Sequence, residues 1–239
     1  MLNMQRVLVV VAHPDDEVLG CGATIARLVA EGKAVSVLIL GEGSSCRFPR
    51  ALVGSTEVAR EIAVRRSFAE RCFAVLGVTD VEYGEIPCGR FDTVPVIDIG
   101  KMVETHIQAF QPDTLLTHCG HDANSDHRIT FNAVITATRP VPGNRIRIVL
   151  SFETPSSTEW RFVEVFRPTF FVEVTQHIET KIRAFDCYRL TEGRPFPFPR
   201  SETGLMTLAR YRGMQVGVPC AEAFEMVRSI LIEVPGGAA

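Results

Sequence analysis

Arg6-Val7-Leu8-Val9-Val10-Val11-Ala12-His13-Pro14-Asp15-Asp16-Glu17 is the stretch on which the fold turns. The run Arg6 to Ala12 is apolar without interruption and mostly β-branched. It offers no polar face to water, so it reads as a strand covered on both sides, as in a parallel sheet. It stops at a short acidic turn. Val18, Leu19, Ile25, Leu28 and Val29 then recur at helical spacing as far as Gly32. Strand, tight polar turn and helix together are the first half of a βαβ unit.

The same alternation continues downstream. Ala34 to Leu40 is a second strand, followed by the turn Gly41-Glu42-Gly43-Ser44-Ser45. Thr56 to Leu76 reads as a long helix closed by Gly77, a residue suited to the left-handed C-cap. A short strand at Val81–Tyr83, a helix from Val94 to Phe110, a strand from Asp113 to His118, a helix from Asp126 to Thr138 and a strand from Arg147 to Phe152 complete the series. This order predicts an α/β fold: a doubly wound, mostly parallel sheet in a three-layer α/β/α sandwich with right-handed crossovers. Beyond about residue 155 the pattern changes to a strand at Thr169–Val174, a helix at Ile178–Tyr188 and two helical stretches at about 201–214 and 219–231, a helical C-terminal cap. The segment Arg194-Pro195-Phe196-Pro197-Phe198-Pro199-Arg200 separates them. The expected organisation is a single domain over 1–239, with a catalytic α/β part of about 1–155 and a C-terminal part of about 156–239.

Composition narrows the partners. The 239 residues are 46% hydrophobic and 22% charged, with a mean hydropathy of +0.14, a net charge of −3 and a pI near 6.1. No basic run favours nucleic acid or an anionic membrane. No apolar stretch approaches the ~20 residues that span a bilayer, and the first residues lack a secretory pattern, so a cytoplasmic protein is expected. Seven cysteines at 21, 46, 72, 88, 119, 187 and 220 include no C-x-x-C, which fits reduced thiols better than a disulfide framework or a cysteine-rich zinc site.

Ligands of open α/β sheets bind beyond the carboxyl ends of the strands, near the point where the strand order reverses. Two unusual polar clusters fall there: His13-Pro14-Asp15-Asp16-Glu17 after the first strand, and His118-Cys119-Gly120-His121-Asp122-Ala123-Asn124-Ser125-Asp126-His127-Arg128 after the strand ending at Thr117. Four of the six histidines lie in them. A catalytic zinc takes three ligands from His, Asp or Glu and keeps one position for water. His13, Asp16 and His127 make such a set, and other divalent metals suit it too. Asp15 is then left to take a proton from the metal-bound water, whose pKa zinc lowers to about 7. The bland reading is a helix N-cap at Asp15 or Asp16; the second cluster favours metal.

Val11-Ala12-His13-Pro14-Asp15-Asp16-Glu17-Val18-Leu19-Gly20-Cys21-Gly22 resembles the signature of the PIG-L or LmbE-like N-acetylglucosaminyl de-N-acetylase family. The resemblance extends to Asp122–Arg128, Arg90-Phe91-Asp92-Thr93 and Glu153–Trp160. It implies a Rossmann-like zinc hydrolase that removes an acyl group, most often acetyl, from an amino sugar or related glycoconjugate. It implies one Zn2+ on His13, Asp16 and His127, with Asp15 as general base and Arg65 and Asp92 as substrate-binding residues. Members are often oligomeric, so a homo-oligomer is among the expected partners. One departure stands out: many members carry a histidine three residues before the last ligand, and here the residue is Asn124. Asparagine can donate to an oxyanion but cannot deliver a proton at pH 7. Either His121 or His118 takes its place, His121 being preferred, or Asp15 itself carries the proton from water to the amine. Glu159 and Trp160 are expected to bond or stack on a sugar.

Rival chemistries lack their motifs. Gly20-Cys21-Gly22-Ala23 comes too late for a dinucleotide-binding G-x-G-x-x-G, and no G-x-S-x-G elbow is present. The alternative that survives is a catalytically weak, metal-containing sugar-binding homologue. Asn124 supports it; Asp15, a base with no use in a mere binding site, opposes it.

Overall fold

A computed structural model describes residues 4–231. Its elements, in chain order, are β1 (Arg6–Val11), α1 (Asp16–Ala30), β2 (Ala34–Gly41), α2 (Thr56–Leu76), β3 (Asp80–Ile86), α3 (Val96–Phe110), β4 (Thr114–His118), α4 (Ser125–Ala137), β5 (Ile148–Phe152), β6 (Phe170–Glu173), α5 (Ile178–Asp186), α6 (Glu202–Met214) and β7 (Ala221–Ser229). Seven strands form one sheet in the order β3-β2-β1-β4-β5-β7-β6. The first five are parallel, and β7 runs antiparallel to both β5 and β6.

The unbroken apolar run of β1 is explained by its central place. Val7, Val9 and Val11 feed a core shared with α1, α2 and α5, whereas Leu8, Val10 and Ala12 feed a second core under α3 and α4. Residues 7–12 are completely buried, so alternation would have served no purpose. Between β1 and β4 the strand order reverses, because β2 and β3 lie to one side and β5 to the other. Among the described residues no helix is long and apolar enough to cross a membrane.

One element differs from expectation. The segment around 219–231 is not a helix but strand β7, so the C-terminal cap has helices α5 and α6 and a strand inside the sheet. Ala, Glu and Met at 221–226 favour a helix locally, and Cys220, Ala221, Ala223, Phe224 and Val227 mimic helical spacing. Pairing with β5 on one side and β6 on the other overrides both.

The strand also repairs α1. That helix is kinked at Cys21, whose φ of −145° and ψ of 24° leave the helical region, and the freed N–H groups of Ala23 and Thr24 donate to Glu222 at 3.1 and 2.6 Å. Gly20 makes the approach of β5 possible, since a Cβ there would stand 2.2 Å from the Phe152 ring. Lys181 of α5 balances the buried Glu222 at 2.6 Å and donates to Leu19 O at 2.8 Å. Removing one partner of such a pair strands the other charge in the interior. Glu222→Ala is therefore expected to cost about 3–5 kcal/mol, read as a lower urea midpoint at unchanged slope; a shift below about 1 kcal/mol would contradict this role.

Candidate active site

The loops that follow β1 and β4 face each other where the strand order reverses. Pro14 restrains the first loop, and Asp15 sits in the left-handed region at φ 117°, rare for a residue other than glycine. That turn aims the Asp16 carboxylate back, so that its Oδ2 accepts from His13 N at 2.8 Å. In the second loop Asn124 caps α4: its Oδ1 accepts from Asp126 N at 2.9 Å and places His127 in the first turn.

His13, Asp16 and His127 converge, each offering a ligand atom within 4.8 Å of the others, and all three are buried. His13 Nδ1 is 3.4 Å from Asp16 Oδ2 and His127 Nε2 is 3.3 Å from the same oxygen. Ligands about 2.0–2.1 Å from a tetrahedral ion stand about 3.3–3.4 Å from one another, so the spacing and the His/Asp/His chemistry fit a zinc-type cation. The electrostatics ask for positive charge as well. Burial alone pushes both rings down, but Asp126 and Asp16 lift His13 to about 9, and Asp16 and Asp122 lift His127 to about 10. Burial pushes Asp16 up, yet His127 and His118 outweigh it and hold the carboxyl well below its ordinary range.

Outer residues fix the rings. His13 Nε2 bonds to Asp126 Oδ2 at 2.9 Å, and Asp126 accepts in addition from Gly89 N at 2.6 Å and Phe91 N at 3.3 Å. His127 Nδ1 lies 3.2 Å from Asp122 Oδ1 in a contact too bent for a full hydrogen bond. Asp122 accepts from the Ser157 hydroxyl, from Thr158 Oγ1 at 2.5 Å and from Asn124 N at 2.8 Å. Burial raises Asp122, but His127 and the two hydroxyls bring it to about 2. Carboxylates behind ligating histidines are the usual means of fixing tautomer and orientation. His118 plays another part. Its Nε2 accepts from Ala12 N at 2.9 Å, its ring stacks on His127 at 3.9 Å, and burial next to His127 lowers it to about 4. With its Nε2 lone pair engaged, it serves as neutral packing for the His127 ring.

Asp15 is 2% exposed and gripped by two guanidinium groups, Arg65 Nη2 at 3.1 Å and Arg200 Nη1 at 2.9 Å. Burial pushes its carboxyl up to about 6 against the pull of both arginines. Arg65 also donates to Pro14 O at 2.6 Å and pairs with Glu192, which Arg47 and Arg200 share. Arg65, expected to bind substrate, lies in this cluster and contacts Asp15. Arg200 and Glu192 are not among the site residues read from the sequence, since both lie far along the chain from Asp15. Glu17 was missed too. Fully buried and raised to about 8 by burial, it accepts from Asp15 N at 3.0 Å and Tyr188 Oη at 3.1 Å.

The remaining expected residues are dispersed. His121 turns to Glu225, 3.7 Å away, and Cys119, forming a group separate from that of His13, Asp16 and His127. The exposed Asp92 lies in a 3-10 turn at Phe91–Thr93; the neighbouring backbone of Gly89 and Phe91, not its carboxylate, reaches Asp126. Glu159 closes its own loop by accepting from Ser156 N and Ser157 N at 2.6 and 3.2 Å. Trp160 is 47% exposed and pairs with Phe198, ring centroids 6.1 Å apart.

Comparison with known proteins follows the same lines. The profile of the family described as "PIG-L: GlcNAc-PI de-N-acetylase" matches residues 8–138. The diacetylchitobiose deacetylase of Thermococcus kodakarensis is 28% identical, over 97% of this chain and 86% of its own. Among solved structures, N,N'-diacetylchitobiose deacetylase from Pyrococcus horikoshii superposes with a TM-score of 0.75 at 21% identity, covering 95% of this chain and 85% of that one. GalB, the 4-carboxy-2-hydroxymuconate hydratase of Pseudomonas putida KT2440, does so with a TM-score of 0.75 at 25% identity, covering 97% and 99%.

Proposed function

From the premise that this chain belongs to the PIG-L family of GlcNAc-PI de-N-acetylases, we propose that it is a divalent-metal-dependent amide hydrolase that removes an N-acyl group, acetyl foremost, from an amino sugar or related glycoconjugate. The observation that carries this reading is the meeting of His13, Asp16 and His127 beside a buried carboxylate, Asp15, that none of the three needs. The chain acts as one unit, its C-terminal part supplying Arg200 and Glu192 to the site.

His13, Asp16 and His127 would hold the cation, zinc by preference. A bound zinc supplies Lewis acidity towards the amide carbonyl and makes a water acidic enough to ionise near pH 7. Asp15 takes the proton of the attacking water and passes it to the departing amine. Arg65 and Arg200 fix its two oxygens and keep it ionised despite burial. Asn124 spends its Oδ1 on the helix cap, which leaves its NH2 to donate to the developing oxyanion. His121, turned to Glu225, takes no part in this scheme. The exposed pair Trp160 and Phe198 offers an aromatic rim against which a sugar face can stack.

The deciding experiment is a screen of N-acetyl and other N-acyl amino sugars for amine release by metal-loaded protein, in parallel with metal analysis. We expect a free amine and one acetate per turnover. Metal bound at this group with no amine from any N-acyl substrate points instead to a sugar-binding homologue without turnover. A second chemical reading, addition of water to a carbon–carbon double bond, draws support from the likeness to GalB over nearly the full length of both chains. It predicts loss of the ultraviolet absorbance of an unsaturated carboxylate and no amine.

A further inference from the structure

Two loops meet beside the site, one following β2 and one following β3, and their sulfur atoms meet with them. Cys46 Sγ and Cys88 Sγ are 2.8 Å apart, about 0.8 Å beyond the length of a disulfide bond. The loops are already held together. Glu42 accepts from Ser45 N at 3.0 Å in its own loop and from Cys88 N at 2.8 Å in the other. Gly89 adds no bulk where a Cβ would stand 3.1 Å from Cys46 Cβ. Closing a bond between the sulfurs therefore asks for little backbone movement.

Accessibility singles out the same pair. Cys21, Cys72, Cys88, Cys119 and Cys220 are buried and Cys187 is half-buried; Cys46 alone of the seven is exposed. A solvent-borne oxidant meets Cys46 first, and the only thiol in contact with it is Cys88.

We propose that Cys46 and Cys88 are a peroxide-sensitive thiol pair that closes into a disulfide at the edge of the site. The Cys46 thiolate attacks the peroxide: an S–O bond forms, the O–O bond breaks, and after protonation water leaves behind a sulfenic acid. The Cys88 sulfur then attacks the Cys46 sulfur. The S–S bond forms, the S–O bond breaks, and the Cys88 proton departs with the oxygen as a second water. Two thiols and one hydrogen peroxide give one disulfide and two waters, and an added thiol reductant reverses the change by exchange. The crosslink joins two supports of the site. Cys46 precedes Arg47, which holds Glu192 in the network around Asp15, and Cys88 precedes Gly89, whose N–H holds Asp126 behind His13.

The test is stoichiometric treatment of the reduced, full-length protein with hydrogen peroxide, followed by intact mass, thiol titration and peptide mapping. We expect a product two hydrogens lighter, a fall of two from the seven free thiols, a Cys46–Cys88 linked peptide pair, and restoration of all seven by dithiothreitol. In Cys88→Ser no link forms and dimedone traps a sulfenic acid on Cys46. In Cys46→Ser, Cys88 stays reduced at the same dose. Seven free thiols after peroxide would overturn the proposal, as would a link that joins Cys46 to any other cysteine, including that of a second copy. None of these readouts depends on the enzyme's substrate, so their failure is separable from failure of the hydrolase reading.

Discussion

Asp15→Asn is expected to retain one divalent ion per chain and to lose amide hydrolysis by about 10²–10⁴-fold, the usual contribution of a general base. The substitution is nearly isosteric: the amide keeps one oxygen for one of the two guanidinium groups, turns an NH2 to the other, and has no capacity to take up a proton. The pH profile offers an independent reading. Asp15 works as a base only when ionised, and burial raises its carboxyl to about 6. Activity should therefore fall as pH drops through about 6 and be flat just above it. Arg200→Ala removes one of the two charges that oppose the burial and should move that acid limb to higher pH. Normal turnover in Asp15→Asn would eliminate the carboxylate as base, and a limb unmoved by Arg200→Ala would eliminate the ion pair as its tuner.

His13→Ala should empty the metal site. It deletes one of the three proposed ligand atoms and leaves Asp126 without its histidine in a buried position. Loss of a supporting residue alone weakens such sites by roughly 10–100-fold, and loss of a ligand should exceed that, so that dialysed protein holds far less than one ion and turns over no substrate. His121→Ala supplies the contrast. Its ring faces Glu225 and Cys119, and the variant should keep its metal and stay within a few fold of wild-type activity. Equal metal content in wild type and His13→Ala would place the ion elsewhere.

The sequence made the inner site readable for a physical reason. A strand with two buried faces must end in a turn, and the polar residues forced into that turn by chemistry have no packing explanation; His13 to Asp16 is such a case, as is the loop that carries His127. The four histidines of those loops part company in the structure: His118 spends its Nε2 on Ala12 N–H, and His121, expected to serve in catalysis, points to another group. Which way a side chain turns after a strand end is decided by neighbours that the local sequence does not contain. Arg200 and Glu192 are the same problem at longer range: nothing near them in the sequence says that the chain folds back on Asp15. Strand β7 inverts it, because its local preference was clear and helical, and the vacancy between β5 and β6 decided against it.

The kink at Cys21 ties two distant parts of the polypeptide together in time as well as in space. The N–H groups it frees find their acceptor about 200 residues later, at Glu222. During synthesis the N-terminal segment emerges first, yet α1 cannot finish its hydrogen bonding until Glu222 has left the ribosome. Nascent chains halted before Glu222 should therefore leave α1 open to protease at the kink, and chains long enough to expose Glu222 should close it.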